Sequence, residues 1–172
     1  MKKLVLAGTL FASAFALELG GLEVSPEFGA IVGRLDGGVQ DYGAGGYARV
    51  WVGAGGILIA PQVRYAVLFN RNDTYEQSVS DVKRLKNLQY GVALGTNLDA
   101  GILRITPYVA ANYSHFDKVY KEDFSYSVGF KVKPTTIPLS IGAQFEQQKP
   151  EIKNPRTKQK INTAQVFIGV HF

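Results

Sequence analysis

Cysteine is absent from the 172 residues, which excludes a disulfide scaffold and any thiolate-bound metal. Long apolar runs are scarce as well. The longest lies at the N-terminus and is broken by Glu18, so no internal segment reaches the roughly 18 to 20 apolar residues that a spanning helix needs. Mean hydropathy is near zero, unlike either a disordered chain or a polytopic helical membrane protein. Histidine is limited to two residues, and charged residues make up 19% of the chain. What is plentiful is glycine, with 19 residues, and aromatic side chains at 12%. The length suits a single domain.

Met1, Lys2 and Lys3 form a positive leader, Leu4 to Phe11 an apolar stretch, and Ala14-Phe15-Ala16 a small-x-small cleavage pattern. Residues 1–16 therefore read as a cleaved export signal. The mature chain, 17–172, keeps 17 basic against 14 acidic residues. A net charge of that size does not point to nucleic acid.

After residue 20 no helical period is sustained, whereas alternation with period two recurs. Ile137, Leu139, Ile141, Ala143 and Phe145 oppose Pro138, Ser140, Gly142, Gln144 and Glu146. Phe124 to Val132 and Leu103 to Tyr113 alternate likewise. Five further segments follow the same pattern: Leu22–Val32, Tyr42–Val52, Ile57–Phe69, Leu88–Leu94 and Ala164–Phe172. The fold class is therefore all-β with eight strands. Short turns at Gly53–Gly56, Asn97–Gly101 and Pro134–Thr136 alternate with long polar connections at Arg34–Asp41, Asn70–Arg84, His115–Glu122 and Gln147–Lys160. Even strand number with short turns at one end and long loops at the other predicts an antiparallel up-and-down transmembrane β-barrel, termini on the short-turn, periplasmic side. A soluble sandwich or lipocalin-like barrel shares the alternation. Aromatics towards the ends of the apolar faces favour the membrane barrel, as interfacial girdles would: Phe28, Tyr42, Phe69, Tyr113, Phe124, Phe145 and Phe172.

The last strand places Val166, Ile168, Val170 and Phe172 on one face and ends in Phe. It resembles the C-terminal signal of outer-membrane barrels, although Val170 stands where an aromatic is common. With the eight strands and the export segment, the mature chain resembles the small outer-membrane barrels of the OmpA/OmpX type, without a peptidoglycan-binding domain. That resemblance implies an outer-membrane location in a double-membraned bacterium. It also implies lipid and lipopolysaccharide around the barrel, and a barrel-assembly machinery reading the terminal strand.

An eight-stranded barrel is just wide enough for side chains to fill. The alternation points Glu23, Glu27, Arg49, Gln62, Arg64, Gln89, Arg104, Tyr108, Lys131, Gln144 and Glu146 inward. Counted from the short turns, Glu23, Arg49 and Arg104 lie low, and Glu27 and Arg64 near mid-height. Opposite charges at matching levels predict a salt-bridged plug, since lone buried charges are costly to desolvate. A gate passing small ions is the alternative reading. A polar wall disfavours the acyl pocket of lipid-A palmitoyltransferases and the apolar channel of the OmpW family.

His115, beside Ser114 and near Asp117 and Glu122, raises a lipid-A-modifying rim enzyme as a third reading. Neighbours on a strand point to opposite faces, which weighs against it, and no catalytic residue, metal or cofactor is assigned. Lys149, Lys153, Arg156, Lys158 and Lys160 make the last loop basic, a candidate patch for anionic polymer or headgroup phosphate. Asn70, Asn72, Asp73 and Asp81 offer oxygen ligands without regular metal-loop spacing. Tyr75, Phe116 and Tyr120 are expected to be exposed loop aromatics suited to a surface partner. The chain is expected to be monomeric.

Overall fold

The computed structural model describes residues 22–38, 40–70, 84–153 and 156–172. Residues 1–16, expected to be an export segment, and Asn72, Asp73, Tyr75 and Asp81, lie outside them. Eight long strands follow in chain order: β1 (Leu22–Asp36), β2 (Tyr42–Ala54), β3 (Ile57–Phe69), β4 (Arg84–Thr96), β5 (Leu103–Phe116), β6 (Asp123–Pro134), β7 (Leu139–Gln148) and β8 (Ile161–His171). Each pairs antiparallel with the next, and β8 returns to β1, with Glu27 opposite His171 and Arg34 opposite Ala164. The sheet thus closes as an eight-stranded up-and-down barrel, with no helix among the described residues.

Turn chemistry sets the short connections. Gly55 and Gly56 link β2 to β3 with φ of 62° and 86°, the left-handed pair that a two-residue hairpin requires and that side chains resist. We call the end carrying the short turns inner, and the opposite end outer. Several strands run further outward than the alternation foretells. Arg34–Asp36 belong to β1, and His115 and Phe116 to β5, because cross-strand pairing continues past the last strictly alternating residue. The longest described connection carries a ribbon of its own, Glu151–Ile152 paired with Thr157–Lys158.

Alternation sorts the two faces as read. Outward residues such as Ile59, Val92, Val109, Val128, Ile141 and Ile168 are all exposed, while Gln62, Arg64, Gln89, Asn112, Lys131 and Glu146 are buried inside. The molecule is apolar outside and polar within.

Candidate functional site: the filled lumen and the outer rim

Four levels of side chains occupy the lumen. At the inner end, Arg104 donates to Asp99 at 2.9 Å and to Glu23 at 3.3 Å, in a half-exposed setting. Above it Glu27 forms a hub. Its carboxylate accepts from Tyr47 Oη at 2.8 Å, Arg49 Nη2 at 2.8 Å and Nε at 2.9 Å, Trp51 Nε1 at 2.8 Å, Ser140 Oγ at 3.0 Å and Lys131 Nζ at 3.2 Å. Every lone-pair direction of a buried charge is thus answered, the condition under which such a charge is tolerated. Arg49 sits directly across from Glu27 in the β1–β2 register, not lower, as counting from the turns suggests. Each stands five residues from the Leu22–Ala54 pair that ends the ladder at the inner side, which puts the two at one level.

The hub also contains rings, of which the sequence pointed only Tyr108 inward. The Arg49 guanidinium lies 4.8 to 5.2 Å from the ring centroids of Phe167, Tyr47, Trp51 and Tyr108. Lys131 Nζ stands 4.3 Å over Trp51. Such cation–ring contacts strengthen when water is excluded. Parity is the signal that finds these rings, since Tyr47 and Trp51 flank Arg49 at spacings of two and Phe167 shares the parity of Gln165. Room for them comes from glycine: a methyl at Gly142 would collide with the Phe167 ring. His171 closes the hub below, with Nδ1 3.3 Å from Lys131 and Nε2 2.5 Å from Ser25 Oγ.

The third level is looser. Arg64 meets Glu146 at 2.8 Å and donates to Gln165 at 3.2 Å. Its contact with Glu146 is one of charge without hydrogen-bond alignment, and its Nε and Nη2 have no partner. Gln89 bridges Glu146 at 2.7 Å and Ser114 at 2.8 Å, and Tyr108 donates to Gln144 at 2.7 Å. Beside them a cavity of about 30 Å³ is bordered by Asn87, Gln89, Glu146, Gln148, Thr163 and Gln165. It has the size and polar walls that a water molecule needs. Glu27 and Arg64 therefore do not pair directly, and Tyr108, beneath Arg49 and bonded to Gln144, links their two levels.

At the outer mouth the lumen turns apolar. Leu35, Leu68, Leu85, Phe116, Tyr120 and Ile161 pack into one buried cluster, with Val119 and Ile152 against it. Phe116 and Tyr120, expected as exposed, are 2% and 0% accessible. Phe116 continues the inward parity of Ser114. Tyr120 is folded in by a bridge to Ile152, with Lys121 N donating to Glu151 O at 2.8 Å and Lys153 N to Val119 O at 2.9 Å. Lys121 and Glu151 also form an ion pair at 2.8 Å. Two outer connections thus make a small sheet over the mouth, Tyr120 and Ile152 turned down and charges on the other side. All five basic residues of the last loop, Lys149, Lys153, Arg156, Lys158 and Lys160, are exposed.

On the rim, His115 Nδ1 lies 2.5 Å from Glu122, and the Tyr113 hydroxyl donates to the same carboxylate. These donors hold the Glu122 carboxyl below the usual carboxylate range, Tyr113 contributing most. Ser114 points into the lumen, buried, while His115 faces outward and is exposed. The two therefore cannot act on one substrate atom. Among the described residues no three metal-binding side chains converge.

Val166 and Ile168 lie exposed on the outer face, and Phe172 stacks on Phe28 at 6.0 Å. No protein-family model matches the chain, and no curated protein matches it in sequence. Solved structures do. Neisserial surface protein A (NspA) is 11% identical with a TM-score of 0.55, the match covering 88% of this chain and 99% of that one. A major outer membrane protein from Thermus thermophilus is 13% identical with a TM-score of 0.50, covering 87% and 99%. At such identity the likeness shows the fold, a closed eight-stranded antiparallel barrel.

Proposed function

We propose that this chain is an integral outer-membrane surface protein: a barrel closed by its own side chains, anchored by its apolar outer face, and meeting its surroundings through its outer loops. One observation carries the reading. The apolar side chains encircle the molecule while the lumen is filled and ion-paired, the reverse of a water-soluble protein. A surface of that kind is stable only in hydrocarbon, and closure leaves no strand edge unpaired there. Support for the outer membrane comes from the strand number and from the export pattern expected over residues 1–16. The short-turn end then faces the periplasm, and Val166, Ile168, Val170 and Phe172 present the strand that assembly machinery reads. Lipid and lipopolysaccharide are the immediate partners, and the barrel acts as a monomer.

Planar-bilayer recording of the refolded protein beside Arg64→Ala tests the closed lumen. Both are expected to be silent. Reproducible conductance steps from the unaltered protein would replace this reading with that of a gated pore.

A further inference from the structure

A broad concavity lies on the outer, apolar face of the described barrel. A shallow trough of about 1030 Å³ runs across the outward sides of neighbouring strands. The small residues Ala44, Ala143 and Ala164 and the rings of Phe69, Phe130 and Phe145 are among those that line it. Two more of its lining residues, Arg34 and Tyr42, stand opposite each other across β1 and β2 near the outer end. Arg34 is exposed and is also the partner of Ala164 in the closing register. On the next two strands, exposed Lys149 and Lys160 immediately follow and precede the Gln148–Ile161 pair that ends the β7–β8 ladder. Cations therefore crown the trough at the level where β1, β7 and β8 emerge. Asp36, one outward repeat beyond Arg34, is the acid nearest in sequence on that face.

An occupant of this trough must be apolar along its length and negative at its outer end. The wall lies at membrane depth, so the candidates are an acyl chain or a second barrel. A two-fold pairing of this chain centred on the trough would set Arg34 against its own copy, since such an interface repeats the same patch on both sides. A lipid meets the opposite charge instead. We propose that the trough is a selective site for an outer-leaflet lipid with a phosphorylated headgroup, its acyl chains over Ala44, Ala143 and Ala164 and its phosphate on Arg34, with Lys149 and Lys160 alongside. Arginine suits the phosphate because its planar fork makes paired hydrogen bonds. This proposal rests on the barrel spanning a membrane.

The test refolds the full barrel into phosphatidylcholine vesicles containing either lipid A with both phosphates or a phosphate-free acylated diglucosamine with the same chains. Lipid retained on the extracted barrel is then counted by native mass spectrometry. The phosphorylated form is expected to be retained several-fold more. Arg34→Gln should lower its retention about fivefold, the weight of one interfacial cation, and leave the phosphate-free form unchanged. Ala164→Trp, which fills the trough without altering charge, should lower both. Lys118→Gln, exposed in the connection between β5 and β6, should change neither. Equal retention of the two lipids, or indifference to Arg34→Gln, overturns the proposal. Protease protection in the same vesicles reads insertion separately, and failure to insert overturns the membrane reading along with it.

Discussion

Glu27 is the residue on which the interior turns. Six donor contacts converge on its carboxylate from Tyr47, Arg49, Trp51, Lys131 and Ser140. Glu27→Gln would leave Arg49 and Lys131 as two buried cations without their counter-charge, a change expected to cost about 3–5 kcal/mol. Urea titration in vesicles measures it, and a loss below about 1 kcal/mol would contradict the hub. Arg64→Met should cost roughly half as much or less. Arg64 already leaves two nitrogens unpartnered, and Glu146 keeps its bond from Gln89, so fewer good bonds are lost. That Glu27, Arg49, Arg64, Lys131 and Glu146 face inward was legible from parity alone. Who meets whom was not, because partners are set by strand tilt and by side chains reaching across the lumen, as when Lys131 on β6 finds Glu27 on β1. The Trp51 ring was equally placed by parity, but a search of the inward faces for charge passes over rings.

At the scale of elements, strand number and the alternation of short and long connections were plain in the sequence. The conformation of the long connections was not. Tyr120 looks like an exposed loop aromatic until the ribbon at Glu151–Ile152 supplies it with a partner strand, a pairing between segments some thirty residues apart. Local composition cannot announce such a pairing. The same outer region carries a pH dependence. Glu122 is held below its ordinary range by Tyr113 and then His115, so its bonds stabilise the 117–122 connection above the unfolded carboxylate value and are lost as pH falls through the depressed one. Amide exchange in that connection should therefore rise on acidification below about pH 4.5. In Glu122→Gln the rise should disappear. A variant that still shows it would assign the effect elsewhere.

The whole molecule carries two independent seals, an apolar one at the mouth and an ionic one around Glu27. Opening the first should not suffice. A Phe116→Ala/Tyr120→Ala double variant is expected to remain silent in planar bilayers, and to conduct only when Glu27→Gln is added. Conductance from the double variant alone would show that the hub does not close the lumen.

The Glu27 hub draws its members from β1, β2, β6, β7 and, through His171, β8. A chain made from its N-terminus therefore holds Glu27 and Arg49 together early, yet its carboxylate waits for Lys131 on β6 and Ser140 on β7, and His171 joins the hub only with the last strand. Contacts between chain ends carry a large loop-closure cost, so the finished hub belongs to the end of folding, after the rate-limiting barrier. Interactions formed that late act on escape from the native state more than on entry to it. Glu27→Gln should accordingly unfold much faster while refolding at nearly the original rate. The buried ion cluster is then a clasp fastened last, and it sets how long the barrel survives once made.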